Sequence, residues 1–431
     1  KNHQKKRMSK REFDIILWGA TGFTGRLCFE YLVKKYPYGN PIKWAIAGRS
    51  SSKLLELKSS ISKSSNVNLD NIEVLVGDIN DIPSIIQIAS RTKVIMSTAG
   101  PFAKIGTPIV EACVKASTNY VDITGESTWI REIIDKYHST AEKNKIKIIP
   151  CCGFDCIPVD VGTRFLVDSM LQKEIKPVEV RMILTNSKGD ASGGTIASIL
   201  NMFESSTIKT LLASLNPFFL CPRLPSTNEI DQPSSIIVSK CSDKMIFDYD
   251  SIFSFWCMPF VMQAIDTRVV HRSNALSKFK YGRNFIYSER MKAPFIVGLI
   301  STLVTPLVTT LLFFSVTRNI LKLFLPSPGE GPSEVVRETG RFHFQMWGKG
   351  TNNNGENVIV KARIDAPDGD PGYKQTAVMI TEAAVSLAIL SSQPQQSNDE
   401  IYGILTPSTG LGNTLLKRLE DANIKFKVDS I

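Results

Sequence analysis

Phe13–Arg26 reads FDIILWGATGFTGR, and the fold follows from this stretch. Phe13 and Ile15 to Trp18 make an apolar run of strand length that ends in glycine. Gly19, Gly22 and Gly25 follow at three-residue spacing, and Arg26–Lys35 then offers Leu27, Tyr31 and Leu32 as core contacts of a helix. Strand, glycine turn and helix in that order is the setting in which such glycines mean dinucleotide binding. The helix N-terminus presents free backbone N–H groups and a positive dipole end to a pyrophosphate. A Cβ at Gly19 would hinder the tight turn, one at Gly22 the approach of phosphate, and one at Gly25 the packing of helix on strand. Gly19, Ala20, Thr21, Gly22, Phe23, Thr24 and Gly25 are therefore the expected phosphate cradle. The plain alternative is a structural turn.

The next strand, Lys43–Ala47, decides which nucleotide is expected. It ends in Gly48-Arg49-Ser50-Ser51-Ser52-Lys53, with no acid to accept from a ribose 2′-OH. Arg49, backed by Ser50 and Lys53, suits a 2′-phosphate, so NADP is favoured over NAD. Strand Ile72–Val76 leads to Asp78, at an adenine-contact position. Strand Val94–Thr98 leads to Ala99-Gly100-Pro101, a backbone ledge beside the nicotinamide ribose. Strands Tyr120–Asp122 and Lys147–Pro150 continue a repeat of strand and helix, which implies an α/β Rossmann domain with a doubly wound parallel sheet. Ligands of such sheets lie beyond the carboxyl ends of the strands. Asp122 and Asp155 sit in loops there and are candidates for proton transfer. Glu126 and Asp160 lie in the same loops and read either as further site carboxylates or as helix caps.

The boundaries expected are a basic tail over 1–12, a Rossmann domain over 13–176, an α+β substrate or dimerisation domain over 177–400, and a return to the Rossmann domain over 401–431. Ser192-Gly193-Gly194-Thr195 opens a helix, and Gly193, Gly194 and Thr195 are candidates for a substrate cradle. Arg341–Trp347 and Val358–Ile364 alternate like paired strands. Ala293–Thr317 carries no charge over 25 residues. Its length would cross a bilayer, but Pro306 divides it into halves of about a dozen residues, each too short to span. A hairpin-like, re-entrant or monotopic helical segment is the expectation, helped by a basic flank that includes Arg268, Arg272, Lys280, Arg283 and Arg290. A buried helix pair and a hydrophobic homodimer face are the alternatives.

The chain has 431 residues, a formal charge of +10 and eight cysteines. Ordinary composition excludes a disordered chain, and the length allows two or three domains. The basic residues at the start read as a solvated arm, and no signal-peptide apolar core follows it. Eight cysteines without paired CxxC spacing read as reduced and buried, with no metal site. Lone His271 reads as a packed polar residue. Nucleic-acid binding is not expected, because the basic residues flank an apolar run rather than aromatic stacking positions.

These motifs together resemble the saccharopine dehydrogenase-like oxidoreductases, a family related to trans-acting enoyl reductases. The matching pieces are Gly19–Gly25, Ala47–Ser50, Ala99–Phe102, Asp122–Glu126, Gly153–Asp155 with Ile157, Pro158 and Asp160, Gly193–Thr195, Pro328–Ser333 and Leu405–Gly410. The resemblance implies a Rossmann domain, a nicotinamide cofactor, a second α+β domain and association with lipid droplets or other membranes. It does not imply saccharopine cleavage. The expected activity is NADPH-dependent reduction of a lipid-like or other hydrophobic unsaturated or carbonyl substrate. The expected location is the cytosolic face of a lipid droplet or the endoplasmic reticulum, with the mitochondrion as an alternative. A non-catalytic membrane-associated scaffold or nucleotide sensor is the competing reading, favoured by the lack of a clear proton donor. The Tyr31 and Lys35 pair has short-chain dehydrogenase spacing but lies on the first helix, away from the cleft.

Overall fold

The computed structural model describes residues 11–39, 41–189, 193–224, 228–322, 331–393 and 400–430. The first part alternates strand and helix: β1 Phe13–Trp18, α1 Phe23–Lys35, β2 Trp44–Gly48, α2 Ser51–Ser65, β3 Val74–Val76, α3 Ile82–Ser90, β4 Thr92–Ser97, α4 Phe102–Ala116, β5 Asn119–Asp122, α5 Ser127–Lys143 and β6 Lys147–Ile149. Then come α6 Ile157–Gln172, β7 Lys176–Lys188, α7 Gly193–Ser205, α8 Ile208–Ser214, α9 Ser235–Cys241, β8 Asp248–Asp250, β9 Phe255–Pro259, α10 Gln263–Leu276 and β10 Ile286–Lys292. The chain continues through α11 Phe295–Leu311, α12 Ser315–Lys322, α13 Glu334–Thr339, β11 Arg341–Thr351, β12 Asn357–Ala366, α14 Thr376–Ser392, β13 Gly403–Ile404, α15 Pro407–Asp421 and β14 Lys425–Ser430.

The first sheet runs β13-β6-β5-β4-β1-β2-β3, with every pairing parallel. Its strands are apolar on both faces because helices cover both, as parallel sheets require; β2, for example, is buried throughout. The second sheet runs β14-β12-β11-β7-β10-β9-β8 and is mixed: β7 pairs β10 in parallel and β11 antiparallel. Here one face carries Val180, Met182, Phe344, Met346, Ala362 and Ile364, all buried. Helix α6 packs on that face, where a Cβ on Gly162 would lie 2.7 Å from Ile364.

The end of the chain does not return to one sheet as expected. Gly403–Ile404 joins the first sheet beside β6, but Lys425–Ser430 extends the second sheet beside β12. Helix α14 also crosses the expected boundary. It lies against β1, β4, β5 and α1 of the first sheet, and Thr376 to Ala388 are buried in an unbroken run. A helix apolar all round is a core helix. Among the described residues, Pro371–Ser392 is the one helix long and apolar enough to cross a membrane, yet 78% of its apolar window is inside the protein. Glu382 on α14 ties it down: it accepts from Tyr31 Oη at 2.6 Å, Tyr36 Oη at 2.6 Å and Arg418 Nε at 2.9 Å.

The apolar segment differs from the expected pair of halves. Pro306 lies inside one continuous 17-residue helix, α11, and the break falls after Leu311. Proline removes one N–H from the helix ladder, and here the helix continues past the gap. Its aromatic foot is held by Phe247 and Trp256, whose rings lie 5.3 and 5.0 Å from Phe295. Gly298 is its one buried residue, so the buried helix pair is excluded. The basic flank is largely consumed internally. Arg268, Arg272 and Arg290 are buried, while Lys280 and Arg283 pair with Asp168 and Asp231. Most of the basic tail lies outside the described residues.

Candidate nucleotide and substrate site

The loop between β1 and α1 is shaped by its three glycines. Gly19 has φ +86°, a conformation that L side chains rarely adopt, and a Cβ there would lie 3.0 Å from Ala99 Cβ. At Gly25 an added Cβ would sit 2.2 Å from the Gly19 carbonyl oxygen. At Gly22, among the described residues, the one contact within 4 Å beyond its own chain neighbours and helix backbone is that same oxygen, at 3.3 Å, so nothing else there takes the space of a Cβ. Gly22 caps α1 without a side-chain hydrogen bond, and no acid lies in the first turn. Thr21 and Gly22 are exposed, Ala20 is buried, and Phe23 and Thr24 are partly buried. The Phe23 ring meets Tyr373 edge-on at 4.7 Å and lies under the Arg337 guanidinium. A bare helix N-terminus beside open space fits a pyrophosphate.

Strand β2 lies next to β1 in the sheet, and its end carries Arg49. Arg49 is exposed and makes no hydrogen bond or ion pair among the described residues. Its guanidinium is free to hold a 2′-phosphate in bidentate fashion. Ser50 has a structural duty as well: its Oγ accepts from Lys53 N at 3.4 Å and caps α2. The Lys53 side chain is exposed on the first turn of that helix. Asp78 is exposed after β3, and its Oδ1 accepts from Asn80 N at 2.9 Å.

Ala99, Gly100 and Pro101 follow β4, and the Gly100–Pro101 bond is cis. Helix α4 begins at once, but its N-terminus is filled. Glu126 Oε1 accepts from Phe102 N at 2.7 Å, and Oε2 accepts from Ala103 N at 3.0 Å and Asn201 Nδ2 at 3.1 Å. Glu126 is thus a cap, though of α4 rather than of the helix it precedes; it makes no capping bond to α5. Asp160 likewise serves a helix other than its own. It accepts from Ser408 N at 2.8 Å at the start of α15 and from Ser273 Oγ at 2.5 Å.

Asp122 is fully buried. Its Oδ1 accepts from Thr124 N at 2.9 Å and Cys151 N at 3.3 Å, which pins the loops after β5 and β6 together. Burial pushes its carboxyl up to about 7. Asp155, in the loop between β6 and α6, is partly reached by solvent and has no hydrogen-bond partner among the described residues. Close packing around it pushes its carboxyl up to about 6. The two acids are therefore different: Asp122 holds the loops from inside, and Asp155 is free. Gly193, Gly194 and Thr195 form the first turn of α7, while Ser192 lies outside the described residues. His271 is buried against Phe218, at 4.3 Å between rings, and burial pushes it down to about 3, so it is neutral packing. All eight cysteines are free and buried. Among the described residues no group of His, Cys, Asp or Glu could hold a metal ion. Asp266 and Glu289, which the sequence shows only as the acidic members of the basic flank, are fully buried, and among the described residues their carboxyl oxygens have no hydrogen-bond partner.

A parallel nucleotide-binding sheet joined to a mixed second sheet is the architecture of the saccharopine dehydrogenase fold. Residues 15–149 match the saccharopine dehydrogenase NADP binding domain family. A solved structure of apo saccharopine dehydrogenase (L-Glu forming) from Saccharomyces cerevisiae superposes with a TM-score of 0.51, covering 97% of this chain and 100% of that one; at 12% identity it speaks to the fold alone. Over the whole sequence the likeness is to other proteins. The chain is 32% identical, across 97% of both chains, to a Mycobacterium tuberculosis protein named provisionally as a trans-acting enoyl reductase. It is 29% identical to a trans-acting enoyl reductase of Mycobacterium bovis, covering 96% of this chain and 97% of that one. The chain belongs to this family of saccharopine dehydrogenase-like oxidoreductases, with the trans-acting enoyl reductases as its relatives.

Proposed function

We propose that the protein is an NADPH-dependent reductase of a hydrophobic substrate bearing an activated double bond or carbonyl, working at a membrane or lipid-droplet surface on its cytosolic face. The observation that carries this reading is the bare N-terminus of α1 beside a free Arg49. Gly19–Gly25 would hold the pyrophosphate, and Arg49 with the first turn of α2 would hold the 2′-phosphate. A reduced nicotinamide nucleotide held there supplies a hydride. Gly100 and Pro101, at the end of the neighbouring strand β4, would flank that position. The names of the relatives support an unsaturated substrate.

The apolar surface supports the choice of location. Ile296 is 67% exposed, Leu303 70%, Leu307 59% and Phe314 59%. A contiguous patch of this kind marks an interaction site. At 17 residues, α11 is about 25 Å long, short of a bilayer core of about 30 Å. Such a helix lies along the interface rather than through it.

The test is consumption of NADPH absorbance with a medium-chain trans-2-enoyl N-acetylcysteamine thioester, with and without phospholipid vesicles, beside vesicle flotation. Turnover that vesicles enhance, and flotation that Leu303→Ser with Leu307→Ser abolishes, are expected. Absence of turnover across enoyl and carbonyl substrates would leave the scaffold reading in its place.

A further inference from the structure

The glycine loop of the nucleotide half is met by chain from the other half. Phe23, the first residue of α1, is packed by three later residues. Tyr373, in the turn Pro371–Gln375, meets its ring edge-on at 4.7 Å. Gly331 lies so close that an added Cβ would clash with Phe23 Cζ. Arg337, on α13, holds its guanidinium over the ring, 5.3 Å from the centroid. A cation in that position is attracted by the negative face of the ring. Tyr373 and Gly331 fix the ring from other sides, so the guanidinium is held against the first residue of the bare helix end.

Most of the Arg337 fork is unused. Nη1 donates to the Pro332 carbonyl at 3.0 Å, and this is the one hydrogen bond of the guanidinium among the described residues. Asp370 is the acid beside it, and its backbone N–H donates to the Arg337 carbonyl at 2.9 Å. The carboxylate of Asp370 is engaged elsewhere: its two oxygens accept from Tyr373 N at 2.9 Å and Lys374 N at 3.0 Å. The neighbouring charges Lys374 and Glu338 pair with each other. Arg337 itself is partly exposed. The helix below it has no free cation in its first turns, because Arg26 donates from Nε to Glu30 at 3.0 Å. A dinucleotide carries a negative charge on each phosphate of its pyrophosphate, and a helix end supplies only about half an elementary charge against them.

We propose that Arg337 is a nucleotide-binding residue, whose guanidinium, carried on the Phe23 ring, takes the pyrophosphate of the nicotinamide nucleotide at the open end of α1. The role rests on the nucleotide site proposed above, and it adds to that site a residue far outside the matched residues 15–149. A guanidinium fork fits two phosphate oxygens, and the backbone N–H groups of the first helical turn meet others. Arg49 and Arg337 then divide the nucleotide between them. Arg49 contacts the 2′-phosphate and so separates NADPH from NADH. Arg337 contacts the pyrophosphate, which both carry, and so treats them alike. Helix α13 leads through Gly340 into β11, so the contact also ties nucleotide binding to the second sheet.

The experiment is equilibrium titration of the full chain with NADPH, NADH and adenosine 2′-monophosphate, which has the 2′-phosphate but no pyrophosphate. Nucleotide fluorescence reads the first two and calorimetry the third. In Arg337→Gln, NADPH and NADH affinities should fall by the same factor, about tenfold or more, while adenosine 2′-monophosphate binds as it does to the wild type. Arg337→Lys keeps the charge without the fork and should recover part of the loss. Arg49→Ala should give the opposite pattern, with weaker NADPH and adenosine 2′-monophosphate and unchanged NADH. A thermal melt of each variant without nucleotide checks that the fold is kept. Unchanged dinucleotide affinities in Arg337→Gln overturn the proposal. So does a loss that adenosine 2′-monophosphate shares, because a residue that only props the loop would weaken every ligand. If the wild-type protein binds neither dinucleotide, the nucleotide site fails and the role of Arg337 falls with it. An unaffected Arg337→Gln variant beside a wild type that binds removes Arg337 alone and leaves that site standing.

Discussion

Two helices start at the same edge of the parallel sheet, and their N-termini are finished in opposite ways. At Phe23 the first turn of α1 is bare, with glycine at the cap and no acid in that turn. At Phe102 the first turn of α4 is filled by Glu126, which takes two backbone N–H groups and an asparagine amide. Both ends carry the positive pole of a helix dipole. One has its anion built in, so it is part of the framework. The other is open to an anion from outside, which makes it the candidate binding site. Fold position alone does not distinguish them; the occupant does.

That comparison can be broken by filling the empty end. Gly22→Val places a side chain where, among the described residues, the one contact beyond its own chain neighbours and helix backbone is a carbonyl oxygen at 3.3 Å. NADPH affinity should drop by about 100-fold or more, since the phosphate loses its approach to the helix. The circular dichroism spectrum should stay as in the parent. Retained affinity would mean that the bare end is not the phosphate site.

Emptying the filled end tests the other half. Glu126→Ala strips Phe102 N, Ala103 N and Asn201 of a buried partner, and should lower stability by about 2–3 kcal/mol in urea unfolding. NADPH affinity should change little, because the proposed nucleotide site is at α1. A large loss of nucleotide binding with unchanged stability would reverse the two assignments.

Arg49→Ala sharpens the comparison further by removing the free cation at the neighbouring strand end. NADPH affinity should fall about tenfold, while NADH affinity stays the same. An equal loss for both nucleotides would place Arg49 away from the 2′-phosphate.

The smallest effect concerns pH. Asp122 and Asp155 are held up to about 7 and about 6 in the folded protein, above an ordinary aspartate near 3.9. Between these values the folded state binds more protons than the unfolded one, so stability falls as pH rises through about 4 to 7. Asp122→Asn keeps an acceptor for Thr124 N and Cys151 N, and should flatten that fall by about 1 kcal/mol between pH 6 and pH 7. Urea unfolding at the two values measures it, and an unchanged slope would contradict an acid held protonated at Asp122.

Much of the nucleotide half was legible because its signals are local. The apolar run to Trp18, the glycine spacing and Arg49 at the end of β2 sit within single elements, where period and turn chemistry decide. What was not legible depends on distant partners. Lys425–Ser430 reads as a strand in any case, but only its pairing with β12 puts it in the second sheet. Glu126 reads as a cap because it precedes a helix, yet the N–H groups it meets are 24 and 23 residues earlier. Pro306 reads as a break, and the helix continues through it. Asp266 and Glu289 come from two elements, and nothing in their local sequence marks them as unpartnered. The basic flank shows the same limit from the other side. Arg268 and Arg290 look like surface charge, but the fold spends them on Asp243 and Asp248.

The central claim is that the bare end of α1 is a nucleotide site with a preference set by Arg49. Equilibrium titration of the wild-type protein with NADPH and with NADH, followed by nucleotide fluorescence, tests it most directly. Saturable binding of NADPH, with NADH about tenfold weaker or more, is the expected result. Absence of binding by either nucleotide, or tighter binding of NADH, would contradict it.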